Sequence, residues 1–177
     1  VLLKIKNCNC KAYYPFQKQF YHKRFFEEIW LKLAEAGVHV HFYTNHPDNY
    51  CHYLESIHNN LHYEGNISSK ELAIEMTQYD VGLLIFNVNK RNRRYLESAS
   101  PNKMYEYLNA GLPIVTYGID TYREFVLQNQ VGGEICYDYP IYEQFYKISQ
   151  IKISPSLASY LIALLSSAII LFIVVVT

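Results

Sequence analysis

The chain of 177 residues has no net charge, because sixteen Lys and Arg balance sixteen Asp and Glu. That balance removes the long-range field with which nucleic-acid-binding domains gather phosphate, so no nucleic-acid partner is expected. Cysteine is scarce and unpatterned. Cys8, Cys10, Cys51 and Cys136 show no framework spacing, which excludes a disulfide scaffold and fits a reducing compartment, so the globular part is assigned to the cytoplasm. Glycine is scarce too, at 7 residues, and no Gly-x-Gly-x-x-Gly follows a strand pattern, which argues against a dinucleotide oxidoreductase. The chain opens at Val1 without a charged, apolar and small-residue leader, and its length suits one domain or one half of a two-domain enzyme. It is read as a fragment.

Against these absences stand 18 Tyr and 9 Phe, enough for a sizeable core whose hydroxyls need polar partners. Their spacing alternates between helical and extended periods. Val1 to Ile5 reads as a short strand and Asn7 to Gln19 as a loop. Phe20 to Ala36 places Phe25, Phe26, Ile29, Trp30 and Leu33 on one helical face and stops at Gly37, and Val38 to Tyr43 is a strand. Leu61 to Tyr63 is another strand. Ser68 with Glu71 forms a capping-box signature that opens a helix through Leu72, Ile74, Met76 and Tyr79. Val81 to Val88 is nearly continuous in apolar residues, as a central parallel strand covered on both faces would be. Leu112 to Thr116 and Glu134 to Tyr137 read as further strands, with helices at Asp120 to Gln130 and Tyr142 to Ser149. Repeated helix-then-strand units of this kind imply an α/β fold with a doubly wound parallel sheet.

His39 and His41 face one side of their strand and could bind a metal, but no third ligand stands at a convincing spacing. Cys51, His52, His58 and His62 are placed in loop or strand-edge positions. No metal and no cofactor are expected.

The stretch from Ser100 to Thr116 says most about function. Ser100 suits a helix cap and Pro101 the first helical position, while Gly111 suits the left-handed stop and Pro113 lies in the strand beyond. Met104, Tyr107 and Leu108 share one face of this helix, and Asn102, Lys103, Glu106 and Asn109 share another. A helix start at the carboxyl edge of a parallel sheet attracts phosphate, and Lys103 would add a full charge there. The alternative, a surface helix in which Lys103 and Glu106 merely pair across one turn, is open at this point. Just upstream, Lys90, Arg91, Arg93 and Arg94 form a basic loop where the Val81 to Val88 strand ends, able to attract a diphosphate or an anionic membrane or to be plain solvated surface.

Ser-Pro-Asn-Lys-Met-Tyr-Glu-Tyr-Leu-Asn-Ala-Gly-Leu-Pro-Ile-Val resembles the signature of the nucleotide-sugar half of the retaining group 1 glycosyltransferases of the B-type fold, with Ser100, Pro101, Lys103, Glu106, Tyr107, Ala110, Gly111 and Pro113 in register. The resemblance implies a Rossmann-like donor domain and transfer of a sugar from a nucleotide sugar with retention. It makes Glu106 the ribose ligand and turns Ser100, Pro101, Asn102 and Lys103 toward the diphosphate and sugar. Gly65 becomes a point of close approach. Many members carry a sugar-contacting glutamate eight positions before the ribose ligand; here that position is Ser98, and the neighbouring carboxylate, Glu97, takes the assignment. The resemblance also implies a missing acceptor domain or second subunit, without which no transfer is expected.

Residues 1–150 are thus read as the donor domain and 151–156 as a linker. Leu157 to Val176 carries no charge over twenty residues, long enough for the ~30 Å hydrocarbon core of a bilayer. A transmembrane anchor with the globular domain on the cytoplasmic side follows from Lys147 and Lys152 just before it. The alternatives to the anchor are a terminal helix packed in a partner domain or an aberrant tail where the reading frame was lost, and the rival to the donor-domain reading is a non-enzymatic membrane-tethered α/β binding module.

Overall fold

The computed structural model describes residues 2–4, 15–16, 27–44, 49–86, 88–99 and 101–174, with side-chain environments for 29–43, 50–86, 88–99 and 101–166. The strands are β1 (Leu2–Lys4), β2 (Pro15–Phe16), β3 (His39–Thr44), β4 (Leu61–Tyr63), β5 (Val81–Ile85), β6 (Ile114–Tyr117) and β7 (Gly132–Glu134). The helices are α1 (Glu27–Glu35), α2 (Asn49–Ile57), α3 (Ser69–Glu75), α4 (Arg93–Ser98), α5 (Asn102–Asn109), α6 (Asp120–Gln128), α7 (Ile141–Ser149) and α8 (Pro155–Val174).

One sheet runs β2-β3-β1-β5-β6-β7, with β4 on β3. β4 is parallel to β3, and β5, β6 and β7 are mutually parallel. β1 lies between the two sets and is antiparallel to both β3 and β5, and β2 is parallel to β3, so the other six described strands all point one way. The doubly wound parallel sheet expected from the sequence is present, with the short β1 as its one antiparallel member among the described strands. A strand between two neighbours closes its backbone hydrogen bonds on both sides whichever way it runs, so β1 is accommodated in the antiparallel direction.

Both faces of the sheet are covered. Val81, Leu83 and Ile85 of β5 join Trp30, Phe42 and Phe145 on the face lined by α1, α2 and α7, and Leu84 points to the opposite core with Met104, Tyr107 and Val126. This two-sided burial is why the apolar run carries no alternation. The strand itself is shorter than the run, ending at Ile85, because Phe86 and Val88 leave the ladder while still packing on the core.

The capping box of α3 is formed as expected, Ser68 accepting from the Glu71 N–H and Glu71 accepting from the Ser68 N–H. Several elements depart from the sequence reading. Cys51 and His52 sit on α2 rather than in a loop, β7 comes two residues early, and the reading of Asn7 to Gln19 as loop gives way to a strand at Pro15–Phe16. The first part of the Phe20 to Ala36 helix lies outside the described residues.

α8 begins at Pro155 and docks by Ala158 and Leu161, both buried, into the core that holds α5. Side chains in this helix are described only to Ser166, and among the described residues no helix is long and apolar enough to cross a membrane.

Three tyrosines tie the α5-side core. Tyr43 and Tyr79 share a hydroxyl hydrogen bond of 2.6 Å, and the Tyr122 hydroxyl donates to the Leu96 carbonyl at 2.7 Å. Burial pushes the hydroxyl pKa of all three above the ordinary tyrosine value of about 10. The folded chain therefore holds these protons more tightly than the unfolded one. Their contribution is fully present below pH ~10 and is lost as pH rises further. In an alkaline titration the exposed tyrosines are expected to ionise first, with the last tyrosinate absorbance appearing together with loss of secondary structure; complete ionisation in a still folded chain would contradict this packing.

Candidate functional site at the carboxyl edge

Strand order changes direction at β1, with β3 and β4 laid down to one side and β5, β6 and β7 to the other. In an open α/β sheet the crevice beyond the carboxyl ends at such a point is where ligands gather. α5 connects the carboxyl end of β5, through α4, to the start of β6, so its first residues face that crevice.

α5 is anchored by one face. Met104, Tyr107 and Leu108 are buried, and the Tyr107 hydroxyl donates to the Leu83 carbonyl of β5 at 3.1 Å. Its end is a Schellman closure: the Gly111 N–H donates to Leu108 and the Leu112 N–H to Tyr107, with Gly111 at φ +70. Its start differs from the sequence reading by one position. Pro101, extended at φ −73 and ψ 134, occupies the cap and Asn102 the first helical position; Ser100 lies outside the described residues. Proline's fixed φ is compatible with either place. A proline side chain has no acceptor, and Pro101 makes no side-chain cap bond, so the cap residue does not occupy the N–H groups that an anion would use.

On the uncovered face Lys103 Nζ donates to Glu106 Oε2, one turn apart, with side chains 23% and 35% exposed. Such a pair contributes only about 0.2–0.5 kcal/mol to a helix.

Residues 21–151 match the model of the family described as glucosyltransferase 3-like, C-terminal domain. The chain belongs to that family. Its fold is similar to that of AviGT4, a glycosyltransferase involved in avilamycin A biosynthesis, at 13% identity and a TM-score of 0.55 over 84% of this chain and 44% of that one. A second solved structure, TarM, aligns with 17% identity and a TM-score of 0.47 over 84% of this chain and 29% of its own. The glucosyltransferase 3-like domain thus spans less than half the length of either structure. No curated protein matches the sequence. The fold is the Rossmann-like half of a B-type glycosyltransferase.

The remaining expected site residues of the glucosyltransferase 3-like domain are spread along the same edge. Glu97 lies on α4, an element the sequence reading did not contain, and Arg93 Nη1 reaches its Oε1 at 3.1 Å. Gly65 follows β4 at φ +80 with open space where a Cβ would stand. Three strand spacings separate β4 from β5, or about 14 Å, so Gly65 and the α5 start occupy opposite banks of the crevice rather than touching.

Two features were missed. Asn89 organises the basic loop, its side-chain oxygen accepting from the Arg91 N–H at 2.9 Å and the Asn92 N–H at 3.1 Å, so the loop is a built turn whose Arg93 then enters α4. Glu134, at the end of β7, accepts from the Gly118 N–H at 3.3 Å and lies 3.8 Å from Arg123. An Asn in a turn-rich run was the available signal for the first. The second depends on β6–β7 pairing and had none.

Proposed function

We propose that this domain is the donor-binding half of a glycosyltransferase that transfers a hexosyl group from a nucleotide sugar with retention. The observation that carries the proposal is α5 itself: its start lies at the sheet's carboxyl edge beside the change of strand direction, its apolar face is locked into the core, and its open face holds Lys103 and Glu106 together. In this reading the ribose hydroxyls donate to the Glu106 carboxylate. Lys103 turns from Glu106 to the diphosphate, which the backbone N–H groups of Asn102 and Lys103 also receive. Glu97 is assigned to the sugar and Gly65 to close approach from the opposite bank, while Ser100 is assigned to the diphosphate together with Pro101 and Asn102. Sugar transfer requires a second wall to position the acceptor, which a partner half or subunit supplies.

The test is thermal unfolding with UDP, GDP or ADP beside the matching nucleosides, together with a transfer assay. One diphosphate is expected to raise the midpoint well above its nucleoside, and the chain alone is expected to transfer no sugar. Equal response to nucleoside and diphosphate would remove the diphosphate seat, and transfer by the isolated chain would remove the need for a second half.

A further inference from the structure

The sheet register does what spacing along the chain did not. β4 pairs with β3 so that His62 stands opposite His41, two residues from His39 on the same face of β3. The His62 ring stacks on both, with centroids 4.2 Å from His41 and 5.0 Å from His39. One ligand nitrogen from each of the three rings lies within 4.8 Å of the others. His41 is only 4% exposed, and its Nδ1 is hydrogen-bonded to the Glu64 carboxylate.

We propose that His39, His41 and His62 form a binding site for a divalent transition metal of the zinc class, separate from the nucleotide seat. Three imidazoles are the donor set such ions take in open tetrahedral sites, where each Zn–N bond is about 2.0–2.1 Å and the nitrogens therefore stand about 3.3 Å apart. His39 Nδ1 and His62 Nε2 share a hydrogen bond at 2.8 Å and the three ligand nitrogens lie within 4.8 Å of one another, so ring rotation that opens the first pair by about 0.5 Å and draws the wider separations in toward about 3.3 Å brings all three onto one ion. Their shared proton moves to another ring nitrogen by tautomer exchange, since the neutral imidazole is the ligand form. The carboxylate of Glu64 already fixes His41 with Nδ1 protonated, which directs Nε2 as the ligand atom. This carboxylate–histidine arrangement is the usual outer support of a metal-bound imidazole. Filling the site would clamp β4 to β3 immediately before Gly65 and so stiffen one bank of the crevice.

The experiment uses the full chain, free of affinity tag and stripped with chelator, titrated with zinc(II) by calorimetry and with cobalt(II) by visible absorption. One ion per chain is expected, with the d–d bands of a four-coordinate cobalt site, and a thermal midpoint raised by about 5–10 °C at a hundredfold excess over Kd. His62→Ala and His41→Gln, each confirmed folded by circular dichroism, should bind more than 100-fold more weakly. Glu64→Gln should lose about 10–100-fold through misorientation of His41. His52→Ala, on α2 outside the cluster, should bind as the parent does. Absence of stoichiometric zinc or cobalt binding by the parent chain would overturn the proposal, as would binding that His62→Ala and His41→Gln leave unchanged. Neither result bears on nucleotide binding at α5.

Discussion

Replacing Gly132 with alanine is expected to cost about 3 kcal/mol or more of folding stability, a large share of the roughly 5–15 kcal/mol that holds a domain together. Gly132 pairs with Ile114 across the β6–β7 ladder, and a Cβ built on it falls 1.9 Å from the Ile114 carbonyl oxygen and 2.8 Å from Ile114 C and N. The obstruction is backbone, so no side-chain rotation relieves it. The strands must separate, breaking the bond from the Ile114 N–H to the Val131 carbonyl in a region where both residues are completely buried. Gly82→Ala offers a graded comparison. Its Cβ would meet the Tyr107 ring at 2.4 Å, and that ring is held by its hydroxyl bond to Leu83, so relief requires moving α5 off β5. Urea unfolding measures both, and midpoints within experimental error of the parent would contradict the close approach at each position.

The second large effect falls on binding. Glu106→Ala is expected to weaken nucleoside diphosphate binding by about 10–100-fold, because a hydrogen bond to a charged acceptor is worth about 1.5–3 kcal/mol and each 1.4 kcal/mol is tenfold in affinity. The fold should survive. Glu106 lies on the open face of α5, and its pairing with Lys103 contributes only a few tenths of a kcal/mol. Lys103→Ala separates the two roles. It should weaken the diphosphate while leaving nucleoside affinity unchanged, whereas Glu106→Ala should weaken both. Equal losses for nucleoside and diphosphate in Lys103→Ala would contradict contact between that lysine and phosphate.

Much of this architecture was legible in local signals. The buried face of α5, its glycine stop, the capping box of α3 and the doubly covered β5 each follow from residues within a few positions of one another, where periodicity and cap chemistry act directly. The details that failed depend on partners distant in sequence. Nothing in Leu2 to Lys4 encodes strand direction, so the antiparallel insertion of β1 was invisible. α2 carries Tyr50, Tyr53 and His52 in place of a clean apolar stripe, although Cys51 and Leu54 turn out to be its buried side. α4 has six residues, too few for a period to show beneath a run of arginines. His62 was read as a strand-edge residue because its relation to His41 is a register fact, twenty-one positions away in the chain but adjacent across the ladder. The candidate site was legible in part. Lys103 and Glu106 could be placed on one helix face from spacing, but the distribution of Gly65, Glu97 and the α5 start around one edge required the sheet order.

The central claim is that the open face of α5 seats a nucleoside diphosphate. Calorimetric titration of the folded chain with UDP, GDP and ADP tests it most directly. One of the three is expected to bind with a single-site isotherm that Glu106→Ala weakens by the factor given above, in a variant with unchanged circular dichroism. No binding to any of them by the folded parent chain would contradict the account and leave α5 as a packing element with a surface ion pair.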